Sequence, residues 1–170
     1  MLRADVDIIL APINSLIVEI DNNVPQTVSF ASVKFRADLA GLLVVAIAAA
    51  YENCVKEILY EHTGRHHAAF ESYARRKYEK INSKISIDDL KAYCALLDPV
   101  LKSDFKTRLT SRKAEIDRRT GINIEGRYAQ LLTWRHEFAH TGVKNTTLED
   151  AAKAHTFAKR VLYVFAETLN

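Results

Sequence analysis

Glycine and proline are scarce in this sequence. Five glycines and three prolines serve 170 residues, too few to turn a chain of short strands back on itself repeatedly. They fall at segment ends more often than inside segments. Cysteine is as rare: Cys54 and Cys94 stand alone, without C-x-x-C spacing. That removes a disulfide framework and a thiolate metal site, leaving two reduced, buried thiols of a cytoplasmic protein as the expectation. The longest apolar run, Leu42 to Tyr51, has ten residues, whereas a membrane span needs about twenty. The N-terminus, Met1-Leu2-Arg3-Ala4-Asp5, carries acid early and does not read as a targeting peptide. Charge of one sign is not in large excess. A net charge of +3 and a pI near 8.8 allow nucleic-acid binding without requiring it. Low-complexity tracts and internal repeats are missing too.

What the sequence does have is apolar residues at helical spacing almost throughout, with no sustained two-residue alternation. The expected fold class is therefore all-α, an antiparallel bundle of six or seven helices in one domain over 1–170. A first helix spans 2–21, with Leu10, Ile13, Ile17 and Ile20 as its stripe and Pro12 as a potential kink. Asn22 to Pro25 is the first loop, so 1–26 reads as an N-terminal helical extension. A long helix follows from Thr27 or Phe35 to His62, with Thr63 and Gly64 as its stop. Its centre, Gly41 to Tyr51, is apolar on every face, which calls for enclosure by other helices or by a partner chain.

A charged helix from His66 to Ile81 contains Arg75, Arg76 and Lys77, and the adjacent His66 and His67 diverge too far to read as a metal site. Ser86 with Asp89 forms a capping box that opens a short helix to Leu97. Asp98 followed by Pro99 opens another helix, to Arg119, stopped at Thr120 and Gly121. The next helix covers Glu125 to His140 and stops at Thr141 and Gly142. Thr146 with Glu149 is a further capping box before a last helix to Leu169.

The chemistry concentrates in Leu131 to Gly142, where Arg135, His136, Glu137 and His140 allow two readings. His136, Glu137 and His140 match H-E-x-x-H, in which two imidazoles a helical turn apart share a zinc ion and the glutamate activates water. That motif needs a third ligand. Glu149, Asp150 and Glu167 are the downstream acids, and none sits in a recognisable second motif; a substrate-aligning sheet edge is also missing. The expectation is no metal and no other cofactor.

Arg135 and His140 match R-x4-H. With twelve arginines and six histidines, and four to six intervening residues allowed, about one such match arises by chance, so the frame matters more than the pair. The frame here is an apolar helix (Tyr128, Leu131, Leu132, Trp134) closed by Ala139-His140-Thr141-Gly142. Residues five apart lie about 140° around a helix. Arg135 and His140 converge only if the helix unwinds near His140, or if two chains share one cleft. The plainer alternatives are an arginine bonding to helix-end carbonyls and a histidine favoured by the C-terminal helix dipole. Trp134 and Phe138 read as core or dimer packing. Glu52, on a nearly apolar helix, needs a partner if buried; Lys56 at i+4 and a place beside Arg135 or His140 are both open.

On these residues the sequence resembles the HEPN family, most closely its RiboL-PSP branch. The branch signature is Arg, a polar residue, then a short apolar stretch ending Ala-His-x-Gly; Arg135, His136, Ala139, His140 and Gly142 match it, with His136 where Asn is commoner. Tyr51 to Lys56 resembles the aromatic and acidic position of the family's earlier core helix. The resemblance runs from about residue 35 to the end. It implies a bundle of four or five core helices that forms a homodimer, and metal-independent cleavage of RNA. Attack of a 2′-hydroxyl on the adjacent phosphate would use His140 for proton transfer and Arg135 for the phosphorane charge. His136 would be a second proton carrier or a hydrogen-bond partner, with Glu52, Lys56 and Thr141 in support. It also implies a toxin or anti-phage defence role, with an antitoxin or other regulatory protein as partner. Lys102, Lys106, Arg112 and Lys113 read either as a surface helix flanking its apolar stripe or as a phosphate-backbone track.

Overall fold

The structure is a computed structural model that describes residues 1–24, 30–81 and 84–170. Among these residues there are seven helices and no strand. They are α1 (Arg3–Asn23), α2 (Phe30–His66), α3 (Ala68–Tyr78), α4 (Ile87–Leu97), α5 (Pro99–Thr120), α6 (Ile124–Thr141) and α7 (Leu148–Thr168). The all-α expectation holds. The expected turn at Pro25 and start at Thr27 lie outside the described residues.

The bundle is centred on α2 and α7. The α7 stripe Ala151, Ala154, Ala158, Val161, Leu162 and Phe165 is fully buried, and α7 packs on α1, α2, α5 and α6. Its small residues let neighbouring backbones approach, and Phe165 meets Phe105 of α5 edge to face, ring centroids 5.7 Å apart. Helix α1 is part of this core. Val6, Leu10 and Ile13 are buried, and Asp7 accepts hydrogen bonds from Lys159 (2.8 Å) and Tyr163 (2.5 Å) of α7. Pro12 lies exposed inside one continuous helix.

Local stop and start signals acted as expected where they were self-contained. Ser86 Oγ accepts from the Asp89 amide, and Asp89 accepts from the Ser86 amide. Asp98 caps α5, with Pro99 in its first turn. Gly121 and Gly142 end α5 and α6 at φ 66° and 68°, the left-handed region open to glycine. Other boundaries shift: Asn22 and Asn23, expected in the first loop, extend α1, the helix expected to reach Ile81 ends at Tyr78, and two further expectations fail. Helix α2 does not stop at Thr63 and Gly64 but runs to His66, because Gly64 stays helical and gives room to a neighbour. A Cβ there would sit 2.8 Å from Glu71 Oε2 of α3. Helix α3 then starts at Ala68, capped by His67, whose side chain accepts from the Ala69 amide. The cap of α7 is Thr147 with Asp150, one residue later than Thr146 with Glu149. Thr147 Oγ1 accepts from the Asp150 amide at 3.0 Å.

The centre of α2 is enclosed on most sides but not all. Leu43, Val44, Ile47, Ala48 and Tyr51 are buried, whereas Leu42 is 57% exposed and Ala49 is exposed. Both cysteines are buried free thiols, and burial pushes each up to about 12.

Candidate active site

Helix α6 positions the motif through its apolar face. Ile124, Tyr128 and Leu131 are buried, and Arg135, one turn beyond Leu131, continues that face toward α2. Its guanidinium Nη2 lies 3.6 Å from Glu52 Oε1. The two side chains keep 27% and 20% exposure, so the pair sits at the rim of the core. Glu52 therefore faces Arg135; among the described residues it makes no ion pair with Lys56, which is half-buried one turn along α2.

The α2–α6 seam is tight further along, one turn past Arg135 on α6 and eleven residues before Glu52 on α2. Phe138 lies directly on Gly41. A Cβ on Gly41 would come within 2.2–2.7 Å of three Phe138 ring carbons. The packing role of Phe138 holds, but the need for glycine at position 41 was not visible in the sequence, since neither φ nor a turn marks it. Trp134 is partly buried against the core.

His136 and His140 are both exposed and lie one above the other on α6, ring centroids 4.4 Å apart. The helix does not unwind near His140. It continues to Thr141, and Gly142 donates to the Phe138 carbonyl at 3.0 Å. Arg135 and His140 therefore stay about 140° apart around α6. Within one chain the fold brings together Glu52 with Arg135, and His136 with His140, but not Arg135 with His140. Thr141 serves the helix end. Its Oγ1 donates to the Glu137 carbonyl at 2.6 Å and accepts from the Val143 amide. The following loop is tied down by Asn145 donating to Glu137 Oε2 (2.8 Å) and by Lys144 pairing with Asp38 of α2.

The zinc reading finds no support in the donor set. Among the described residues no group of three His, Cys, Asp or Glu could hold a metal ion. Each downstream acid is engaged elsewhere: Glu149 with Arg36, Asp150 in the Thr147 cap, Glu167 with Arg3 and Arg112. The α5 basic residues divide. Arg112 pairs with Glu115 and Glu167, and Lys113 with Glu125 at 3.7 Å. Lys102 and Lys106 are exposed and make no ion pair among the described residues.

Behind the seam lies a buried polar network that sequence reading missed. Tyr51 stacks on Tyr128 (centroids 5.6 Å, 16° between planes), and its hydroxyl lies 3.1 Å from His155 Nδ1. Tyr128 donates to the Ile85 carbonyl at 2.7 Å. His155 is 1% exposed, its Nε2 has no hydrogen-bond partner among the described residues, and burial lowers its pKa to about 4. Lone aromatic and histidine residues spaced as core positions gave no signal of this contact.

The sequence model of the RiboL-PSP-HEPN family matches residues 9–170. The chain belongs to the RiboL-PSP-HEPN family. Its membership suggests ribonuclease activity on RNA. The match begins inside α1, so this HEPN domain takes in most of the helix expected to lie outside the resemblance. No match was found among curated proteins or solved structures. No helix of the described residues is long and apolar enough to cross a membrane.

Proposed function

We propose that this HEPN domain is a metal-independent endoribonuclease whose active cleft forms where two copies bring their α6 ends together. The observation that carries the reading is the Glu52–Arg135 pair at the rim of the core, beside the exposed His136–His140 pair at the end of the same helix. An arginine forks onto phosphate oxygens and keeps its charge at all working pH values. Imidazole can take up or release a proton, so two adjacent ones can supply both a base and an acid.

In the reaction one imidazole takes the proton of a 2′-hydroxyl, whose oxygen attacks the adjacent phosphorus. Arg135 stabilises the developing phosphorane charge. The bond from phosphorus to the 5′-oxygen breaks, and a protonated imidazole gives that oxygen its proton. The products are a 2′,3′-cyclic phosphate and a 5′-hydroxyl. Because Arg135 and His140 diverge on one helix, a cleft that uses both draws them from two copies. The exposed face of α2, with Phe35 at 53% and Leu42 at 57% exposure and Ala49 between them and Glu52, supports such pairing. The biological role that goes with this reading is a toxin or anti-phage effector held silent by an antitoxin-type protein.

The second reading is a non-catalytic HEPN module that binds RNA or a protein. The continuous helix through His140 favours it, since one chain alone does not assemble the motif. Purified protein incubated with total RNA and EDTA separates the two. Cleavage that survives EDTA and disappears in Arg135→Ala and His140→Ala supports the nuclease; cleavage retained in both variants, or none in the wild type, overturns it. A chelator-sensitive activity with about one zinc per chain would instead support a zinc hydrolase using His136, Glu137 and His140.

A further inference from the structure

Helix α3 packs mainly on α2, with Tyr78 also meeting Tyr93 of α4 edge to face, and its outer face carries an unusual set of side chains. Phe70 and Tyr73 are 62% and 54% exposed. They lie three residues apart, and Lys77 follows four residues after Tyr73, so the three share one face. Lys77 Nζ sits 5.5 Å from the Tyr73 ring centroid. Ala69, Phe70 and Tyr73 line a shallow apolar depression. Among the described residues Arg76, Lys77 and Lys80 make no ion pair, while Arg75 is taken by Glu71.

The stretch around α3 is basic. Residues 65–80 hold five Lys or Arg against two Glu, and the rest of the chain balances nineteen cations with nineteen carboxylates. Residues 102–119 of α5 hold a larger excess, seven Lys or Arg against three Asp or Glu, but no exposed aromatic ring lies among them. Helix α3 is also aimed. Gly64 lies against Glu71, and Tyr60 donates to the Arg75 carbonyl and lies under its guanidinium. That register runs α3 antiparallel to α2, so the line from Phe70 through Tyr73 and Lys77 descends along α2 toward the level of Glu52, with Lys80 in the turn that follows α3.

We propose that this face of α3 is a docking surface for single-stranded RNA, separate from the α6 site and leading to it. The rings offer stacking platforms to unpaired bases, and Arg76, Lys77 and Lys80 follow the phosphates, the combination that binds single strands without reading sequence. A duplex hides its base faces and offers only the charge. A protein partner fits less well. Two rings supply at most about 300–500 Å² of apolar contact, against roughly 800 Å² per partner in a stable protein interface. The proposal rests on the reading of RNA as the substrate, but not on cleavage.

The test uses the full chain and a fluorescently labelled 2′-O-methyl RNA strand, which lacks the attacking hydroxyl and reports binding alone. Phe70→Ala with Tyr73→Ala should weaken binding by about tenfold or more, with helicity unchanged because both rings are exposed. Arg76→Ala with Lys77→Ala should weaken it and flatten its salt dependence. Phe70→Tyr with Tyr73→Trp should retain it. The single strand should bind better than a duplex of the same sequence. Unchanged affinity in the aromatic double variant, equal affinity for duplex, or displacement of the RNA by polyglutamate at matched charge would overturn the proposal, the last in favour of an acidic protein. Failure of the nuclease reading is read separately, as absence of cleavage of unmodified RNA by a chain that still binds the methylated strand through α3.

Discussion

The ring of Phe138 occupies the space that a side chain on Gly41 would take, with ring carbons 2.2–2.7 Å from the position of a Cβ. This contact sets how closely the motif end of α6 approaches α2, three residues from Arg135. Gly41→Ala adds helix propensity of about 1 kcal/mol, but it forces the ring and the end of α6 outward. Overpacking of this kind costs about 1–3 kcal/mol. A net loss of stability, seen as a lower urea midpoint, is expected, together with weaker RNA cleavage as the Glu52–Arg135 pair opens. Gly64→Ala is the control. Its nearest obstacle is the flexible end of Glu71, so that variant should be neutral or slightly more stable.

The Glu52–Arg135 pair makes a second prediction, about positioning. Both groups are partly exposed, and pairs of that kind are worth at most about 1 kcal/mol. Glu52→Gln should change the unfolding midpoint little while lowering kcat for RNA cleavage about tenfold, because the guanidinium loses its orientation and not its charge. Arg135→Ala should cost about 10²–10³-fold. Arg135→Lys should rescue little, since an ammonium cannot fork onto two phosphate oxygens. If Glu52→Gln lowers stability by several kcal/mol and leaves cleavage intact, the pair is structural only.

How far the sequence carried these conclusions depended on whether a signal was local. The all-α fold, the capping box at Ser86, the start at Asp98 and Pro99, and the stops at Gly121 and Gly142 each rest on a few consecutive residues. Gly64 misled because a glycine can serve close approach as well as a left-handed turn, and only the Glu71 side chain of α3 distinguishes the two. Thr146, Thr147, Glu149 and Asp150 offer two overlapping capping boxes. Burial of Leu148 and Ala151 accompanies the second, and packing is invisible to a local motif. At the candidate site the residue types were legible. Their directions were not, because local unwinding at His140 was an equal option until α6 was seen to continue. The partner of Glu52 lies on another helix and could be anticipated only through the family resemblance.

His155 makes the protein acid-sensitive in a defined window. Its ordinary value in an unfolded chain is about 6.5, and burial holds it to about 4 in the fold. The unfolded chain therefore binds a proton that the folded chain refuses between these values. The stability from the neutral, buried ring is fully present above about pH 6.5 and is lost as pH falls toward 4, by roughly 3 kcal/mol. Urea unfolding at intervals from pH 7.5 to pH 4.5 checks this. The wild-type midpoint should fall across that range, and His155→Gln, which can still bond to the Tyr51 hydroxyl, should give a flatter curve from a lower start. Asp7 and Glu149, whose partners lower their carboxyls, lose their contribution only at more acidic pH. A parallel pH dependence in wild type and His155→Gln would show that other groups govern the acid limb.

Leu42 tests whether the cleft needs two copies. It is 57% exposed on the same helix that carries Glu52, and Phe35 and Ala49, each seven residues away, lie on the same exposed side. A face of this composition in the centre of a long helix is stable in water but gains from being covered. Leu42→Asp places a charge where a second copy would bury it. In a monomer this costs little, because the position is open to solvent. In a dimer it leaves a carboxylate without a partner and should weaken association by of order a hundredfold or more. Sedimentation velocity should therefore show the wild type as a dimer and Leu42→Asp as a monomer with unchanged helicity, and RNA cleavage should fall with the dimer. Ile8→Asp provides the contrast, since Ile8 is 71% exposed on α1 and should leave both association and cleavage unchanged. Cleavage by monomeric Leu42→Asp at the wild-type rate would place the complete site within one chain, and the divergence of Arg135 and His140 along α6 would then have to be closed by movement of the helix end itself.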